Sequence, residues 1–260
     1  MPKSDMLRTR IIPCLQLLDQ NLVKTIQFKR PSYIGDFANT ARIFNELEVD
    51  ELCLLGIRNT RNKTTPDFKV LKQVANECFM PLSYGGGIQD FETAKRILAM
   101  GFEKVVLNSA SFRNPQLITK ISEYFGSQSL IVSIDVKKGL FGRERVYSCS
   151  GTRTERYSAL EWAKSVEEKG AGEILLTSIN QEGTWEGFDI GLVSRIANAV
   201  NIPVIAHGGA GSIKDISAAV KDAKASAVAL GSMVVYQKKG MGVLVNFPDR
   251  TELKKYLSNE

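Results

Sequence analysis

Eight short apolar runs recur along the chain, and segments with helical periodicity separate them. Runs that are apolar on both faces are typical of parallel strands buried on two sides. The predicted strands are Arg10–Leu15, Glu51–Leu55, Pro81–Tyr84, Lys104–Leu107, Leu130–Val136, Glu173–Thr177, Pro203–Ala206 and Ala227–Leu230. Eightfold strand–helix alternation fits either a closed barrel or a large doubly wound sheet.

An internal repeat decides between these two architectures. The segment Tyr84–Gly87 (YGGG) matches His207–Ala210 (HGGA), and Asn108-Ser109 matches Gly231-Ser232, both at an offset of 123 residues. Two similar four-strand halves close a barrel naturally, whereas a doubly wound sheet reverses its strand order midway. We therefore predict an α/β fold, a (β/α)8 TIM barrel with a two-fold half-barrel repeat. Because no Pro- or Ser-rich linker divides the chain, residues 1–260 are expected to form a single domain.

Composition narrows the classes of function. The only histidine is His207 and the four cysteines are far apart, so neither a metal site nor another cofactor is expected. No apolar stretch approaches the roughly 20 residues of a membrane span, and the N-terminal apolar run lacks a cleavage site, so a cytoplasmic location is expected. The net charge of +6 fits an anionic partner, but the basic clusters are scattered and do not favour nucleic acid.

Glycine-rich corners follow predicted strands at matching positions of the two halves. Loops after the strands build the active face of such a barrel, and glycines let backbone N–H groups approach an anion closely. The predicted phosphate-binding residues are Gly86, Gly87, Asn108 and Ser109 in the first corner, and Gly208, Gly209, Gly211, Gly231 and Ser232 in the second. A single Gly-Gly after a strand is usually only a turn, but two matched corners predict a long, bisphosphorylated small-molecule ligand.

Sequence motifs spread almost from end to end carry a family resemblance. They are RIIPCL, VDEL, YGGGIQDFETA, EKVVLNSA, YFGSQSLIVSID, KGAGEILLTSI, EGT, GFD and HGGAGS. With these motifs the chain resembles the HisF-like cyclase subunit of imidazole glycerol phosphate synthase, from the histidine pathway. The resemblance implies a partner glutaminase that supplies ammonia, a bisphosphorylated ribulosyl substrate, and two barrel aspartates that act as acid and base.

The chain departs from the family at this catalytic pair. The strand-five aspartate corresponds to Asp135, but the strand-one aspartate corresponds to Gln16. A carboxylate can hold and return a proton near neutral pH, whereas a neutral amide cannot. Asp19, three residues further on, is expected to lie in a loop and is a poor substitute. The resemblance therefore predicts that the cyclase reaction is nearly abolished.

Other positions at the mouth also differ from the family pattern. Gly56 stands where the family usually has an aspartate, and Asn180–Thr184 (NQEGT) replaces the usual Asp-x-Asp-Gly-Thr. His207 replaces a common serine, and is either a ligand contact or a mouth-lining residue hydrogen-bonded to the backbone. The candidate ligand contacts are Lys24, Thr177, Glu182 and His207.

The opposite rim keeps the charge pattern of the family. The resemblance places a gate for ammonia, next to the docked glutaminase, at the beginnings of four strands. The gate residues are Arg10, Glu51, Lys104 and Glu173. A purely structural ion cluster is the alternative, because two cations and two carboxylates can pair with one another.

Three functions remain open. The segment Leu22–Asp36 (LVKTIQFKRPSYIGD) is similar to paralogues from bacterial surface-polysaccharide gene sets, which implies delivery of ammonia to an ATP-dependent sugar amidotransferase that turns an acetamido into an acetamidino group. The second possibility is a genuine histidine-pathway cyclase that tolerates Gln16. The third is a non-enzymatic module that senses a phosphorylated ligand and activates the glutaminase.

Overall fold

Eight parallel strands form the centre of the fold. The computed structural model describes residues 9–139 and 142–258. The barrel strands are β1 (Arg10–Leu18), β2 (Leu52–Gly56), β3 (Leu82–Gly85), β4 (Lys104–Leu107), β5 (Leu130–Lys138), β6 (Glu173–Ser178), β7 (Val204–His207) and β8 (Ala227–Leu230). Each strand pairs with its chain neighbours, and β8 pairs with β1, so the sheet closes on itself. The predicted barrel is therefore confirmed.

Helices connect consecutive strands on the outside of the barrel. The longer ones are Phe37–Glu46, Phe68–Glu77, Phe91–Ala99, Gln116–Phe125, Ala159–Glu168, Ile190–Ala197, Ile213–Lys221 and Arg250–Leu257. Most of them begin directly after an aspartate or serine whose side chain accepts a hydrogen bond from a backbone N–H of the first turn. Such N-caps satisfy donors that the helix itself leaves free, which explains where these helices start.

The buried apolar residues form two separate packed regions. One lies between the sheet and the helices, and the other fills the barrel with alternate side chains of the strands. The interior layer consists of Ile12, Cys14, Cys53, Val106, Ile131, Leu175, Ile205, Ala227 and Ala229. Because strands bury one residue inward and the next outward, both faces of each strand are apolar in its middle, as the runs in the sequence indicate.

Two hairpins at the mouth were not predicted. Strand β1 runs on to Leu18 and pairs with the antiparallel strand Asn21–Ile26, which pairs with Lys29–Gly35. Strand β5 likewise runs on to Lys138 and pairs with Glu144–Ser148. The sequence gives little sign of the first hairpin, because its outer strand is largely exposed and contains polar residues and a proline. The hairpins follow equivalent strands of the two halves.

The backbone at the two glycine corners repeats between the halves. Gly86 has a φ of +115° and Gly209 a φ of +114°, while Asn108 and Gly231 share an unusual conformation with ψ of −86° and −93°. A Cβ at Gly86 would collide with the backbone of Gly56, and one at Gly209 with the backbone of Gly187. Both glycines are therefore required by close backbone packing, whatever they bind.

Candidate active site

The C-terminal ends of the strands surround one main cavity, which we call the mouth cavity. It has a volume of about 340 Å³ and is lined by the loops after β1 to β6 together with His207 at the end of β7. Gln16, Asp135 and Thr177 lie at its floor, and the first glycine corner opens into it. The structure thus brings together both positions of the expected acid–base pair and one predicted phosphate corner.

Asp135 carries a buried carboxyl group on the inward face of β5. Ser133, two residues earlier on the same face, donates its Oγ to Asp135 Oδ1 at 3.0 Å, and Asn108 Nδ2 lies 3.3 Å from Oδ2. Burial raises the pKa of Asp135 to about 7, while hydrogen bonds from Ser133 and Thr177 act in the opposite direction. A carboxyl group with this pKa can both accept and donate a proton near neutral pH.

Gln16 is held by hydrogen bonds at both ends of its carboxamide. Oε1 accepts from the Thr25 backbone N at 2.9 Å and from Thr25 Oγ1 at 3.0 Å, and Nε2 lies 3.3 Å from Glu182 Oε1. The side chain is 4% exposed. The amide therefore bridges the first hairpin and the loop after β6, and it offers no proton that could be transferred.

Glu182 and Lys24 form a buried ion pair beside Gln16. Glu182 Oε2 also accepts from the Phe28 backbone N at 2.9 Å, and Glu182 Oε1 lies 3.0 Å from Thr25 Oγ1, whose single proton it shares with Gln16 Oε1. With these donors, the carboxylate fastens the tip of the first hairpin over the mouth. Both oxygens of this carboxylate are therefore engaged by protein donors.

The second glycine corner faces a separate, much smaller cavity. This space of about 10 Å³ is lined by Lys24, Glu182, Gly183, His207, Gly208, Gly209, Ala210, Ala229, Gly231 and Ser232. The Lys24 side chain packs against Gly231, where an added Cβ would lie 2.8 Å from Lys24 Cε. Gly211 does not line this space, and its N–H donates to Asp215 Oδ2 at 2.9 Å. The two corners therefore share a backbone conformation, but the first opens into the large mouth cavity and the second only into a small one.

His207 lies on the border between the two cavities. Its Nδ1 is 3.1 Å from Thr177 Oγ1. The hydrogen-bond partner of this nitrogen is therefore a side chain, and not the backbone as one of the two alternatives from the sequence predicts. Burial lowers the pKa of His207 to about 4, so the imidazole is neutral at physiological pH. A neutral imidazole in this position can exchange hydrogen bonds with a ligand, since its other ring nitrogen has no protein partner among the described residues.

The four predicted gate residues form a closed ring of alternating charge at the opposite end of the barrel. Arg10 lies 2.7 Å from Glu51 and 2.6 Å from Glu173, and Lys104 lies 3.0 Å from Glu51 and 2.8 Å from Glu173. Each carboxylate thus contacts both cations. Glu51 Oε1 is buried and has no hydrogen-bond partner in the described part of the chain.

Sequence reasoning missed several residues at the mouth. Ser133 could have been found, because strand alternation puts it on the same face as Asp135. Thr25, which binds Gln16, depends on the unpredicted hairpin. Arg58 and Arg61 lie in the loop after β2 and line the mouth cavity, yet their positions carry no recognisable motif.

The described residues contain neither a metal-binding cluster nor a helix suited to span a membrane. Residues 9–139 and 142–258 contain no group of three or more His, Cys, Asp or Glu side chains able to hold a metal ion. None of the helices in the same ranges combines the length and apolar character that a membrane span requires.

Comparison with known proteins identifies the family to which the chain belongs. A family model described as histidine biosynthesis protein matches residues 10–240. The chain is 49% identical over 248 residues, 95% of its length and 99% of the relative, to a Pseudomonas aeruginosa protein provisionally named imidazole glycerol phosphate synthase subunit hisF2. It is 39% identical over 233 residues, 90% of its length and 92% of the relative, to the imidazole glycerol phosphate synthase subunit HisF of Alkaliphilus metalliredigens. The corresponding subunit of a Nostoc species is 38% identical over 245 residues, 93% and 95% of the two chains. The chain therefore belongs to the histidine biosynthesis protein family and is a HisF-like member of it.

Proposed function

We propose that this protein is the ammonia-conducting subunit of a glutamine-dependent amidotransferase and does not close an imidazole ring itself. A glutaminase docks at the N-terminal face of the barrel, and ammonia passes through the interior to the mouth. The observation that carries the proposal is the hydrogen-bonded Gln16, which occupies the position of one of two essential carboxylates. General acid–base groups typically contribute about 10²–10⁴-fold to a rate, so an amide there is incompatible with efficient ring closure.

The remaining acidic groups do not replace the lost carboxylate. Asp135 lines the mouth cavity and can act as one member of the acid–base pair, but the reaction needs a second carboxyl group. Glu182 lies next to Gln16, but its carboxylate is ion-paired with Lys24. The same carboxylate is also within hydrogen-bond distance of Thr25 Oγ1 and the Phe28 backbone N. Asp19 follows the last residue of β1 in a tight turn with a φ of +54° and does not line the mouth cavity.

The N-terminal end of the barrel supports the entry of ammonia. The ring of Arg10, Glu51, Lys104 and Glu173 closes the interior at this end, so one ion pair has to open before a small molecule can pass. Two buried oxygens, Glu51 Oε1 and Ser83 Oγ, lack hydrogen-bond partners within the described residues. Ser83 lies on the same strand face as Gly85 of the mouth cavity, so both oxygens are placed to bind a polar guest inside the barrel. The curated relatives are named as subunits, which supports an assembly with other chains.

The recipient of the ammonia is proposed to be an ATP-dependent enzyme that modifies a bacterial surface sugar in the cytoplasm. It activates the acetamido oxygen, and ammonia then adds at the amide carbon to give an acetamidino group, with the oxygen leaving on phosphate. The resemblance of residues 22–36 to paralogues of sugar gene sets supports this acceptor.

The test is a cyclase assay with the purified protein, the ribulosyl bisphosphate intermediate and an ammonium salt. We expect turnover at least 100-fold below that of an ordinary cyclase subunit, and a measurable gain in Gln16→Asp. Gln16→Asn, which changes the length of the side chain but not its charge, is the matched control and should show no gain. Turnover of the unaltered protein within about tenfold of an ordinary cyclase would refute the proposal.

A genuine cyclase is the second candidate. It is favoured by Asp135, whose raised pKa suits acid–base catalysis, and the same assay decides between the two. A ligand-sensing activator is the third candidate. It would stimulate glutaminase activity when a phosphorylated ligand is added, without transfer of labelled amide nitrogen to any acceptor.

A further inference from the structure

Four cationic side chains line the mouth cavity. They belong to Lys29 in the first hairpin, Arg58 and Arg61 after β2, and Lys137 near the end of β5. Among the described residues that line the same cavity, Asp135 is the only acidic one. Among the described residues none of the four cations takes part in an ion pair, although Lys137 Nζ lies 6.0 Å from the Tyr147 ring centre. The lining of the cavity therefore carries four cations, none of them ion-paired within the described ranges, against one carboxyl group.

The loops that carry these cations are fixed by specific contacts. Arg58 has a left-handed backbone with a φ of +70°, a conformation that is costly for a residue with a side chain, and its N–H lies 3.4 Å from Ser150 Oγ of the second hairpin. Lys29 directly follows the turn Gln27-Phe28, whose backbone N–H groups both donate to Glu182. The cations are thus held over the cavity by the same contacts that close its walls.

The geometry of the two glycine corners determines how a ligand can lie. Gly86, Gly87, Asn108 and Ser109 of the first corner line the mouth cavity together with the four cations. The second corner lies behind the Lys24–Glu182 ion pair in the separate small cavity. Anionic groups that enter the mouth cavity therefore meet the first corner and the four cations within one cavity, without reaching the second corner.

We infer that the mouth binds one compact ligand with adjacent negative charges, a diphosphate ester, and not a long ligand with a phosphate at each end. One phosphoryl group lies at the first corner and the other on Arg58, Arg61, Lys29 and Lys137. Each guanidinium can bind phosphoryl oxygens in a bidentate manner. Phe28, Ile57 and Ile179 supply apolar surface for the organic part of the ester.

Titration calorimetry on the full-length protein tests this inference. The probes are uridine diphosphate and inorganic diphosphate, with fructose 1,6-bisphosphate and inorganic phosphate for comparison. We expect the two diphosphates to bind at least tenfold more tightly than either comparison compound. We also expect the double variant Arg58→Gln/Arg61→Gln to lose at least tenfold of this affinity. The matched control Lys254→Gln/Lys255→Gln removes the same charge from the exposed C-terminal helix and should bind like the unaltered protein.

Three results would overturn the inference. The first is an unchanged diphosphate affinity in the Arg58/Arg61 variant, and the second is an equal loss in the lysine control, which would indicate only a general charge effect. The third is tighter binding of fructose 1,6-bisphosphate, or no binding of any probe. None of these results bears on whether the barrel conducts ammonia, because that proposal rests on Gln16 and on the gate at the other end.

Discussion

Gln16 Nε2 lies 3.3 Å from Glu182 Oε1, so a neutral amide and a carboxylate meet where the family has two acidic positions. The amide supplies a donor to Glu182 and an acceptor to Thr25. A carboxylate at position 16 would keep the acceptor but lose the donor. The carboxamide of Gln16 thus satisfies both the acceptor on Glu182 and the donors on Thr25. Replacing it with a carboxylate should therefore change the stability of the protein.

The variant Gln16→Glu should destabilise the protein because it puts a second carboxylate against Glu182. The free energy of unfolding should fall by about 1–3 kcal/mol at pH 8, since Lys24 can balance only one of the two charges. Because the repulsion requires both groups to be charged, the loss should shrink as the pH falls and one of them takes up a proton. Urea denaturation at pH 8 and pH 5 measures this, with exposed Gln237→Glu as the control. An equal loss at both pH values would contradict the explanation.

Asp135 should make the protein less stable as the pH rises. Its pKa of about 7 lies above the ordinary value of 3.8, so the folded protein holds a proton that the unfolded chain releases. Stability from this group is therefore full below about pH 4 and is lost as the pH rises to about 7, by at most about 4 kcal/mol. His207 has a lowered pKa and acts in the opposite sense, so the comparison must be made against a variant.

Asp135→Asn removes the titration of Asp135 and leaves that of His207 unchanged. We expect the variant to gain stability relative to the unaltered protein between pH 5 and pH 8, as measured by urea unfolding at both values. If the difference between the two proteins is the same at both pH values, the raised pKa is wrong.

The gate ring should be sensitive to the loss of one cation. Lys104→Met leaves Glu51 and Glu173 with Arg10 as their only cationic partner, and Glu51 is almost completely buried. We expect a loss of about 2–4 kcal/mol in unfolding free energy, because an uncompensated buried charge remains. Lys138→Met, which breaks more exposed pairs with Asp189 and Glu144, should cost about 1 kcal/mol or less. Thermal and urea unfolding of both variants provide the comparison, and equal losses would count against the ring.

Gly209→Ala and Gly86→Ala should both be strongly destabilising. The new methyl group would meet a backbone carbonyl in each case, and the positive φ is unfavourable for alanine. We expect a loss above about 2 kcal/mol, against about 1 kcal/mol in Gly240→Ala, which has a positive φ but open space around it. Parallel unfolding curves check this, and similar losses at all three positions would show that the crowding is unimportant.

The barrel strands could be predicted because burial on both faces leaves continuous apolar runs such as those of β5 and β6. The hairpin after β1 could not, because its outer strand is mostly exposed and its inner strand is short and buries a cation, Lys24. Asp135 and the glycine corners follow from strand ends and from the repeat. The contact between Gln16 and Glu182 joins residues 166 positions apart, and Arg58 lies in an irregular loop with a left-handed backbone. Neither feature produces a periodic pattern in the sequence.

Arg10 and Gln16 belong to the same strand and stand six positions apart, and this even spacing gives both side chains an inward direction. About 20 Å of strand joins the entrance of the barrel to its floor. Exchanging either side chain leaves the other in place, but inserting or deleting one residue between them would turn one of the two towards the outer helices. Substitutions at position 16 can therefore change the chemistry at the floor of the mouth cavity without altering Arg10 at the entrance. The pleat of a single strand fixes the spacing between the two side chains.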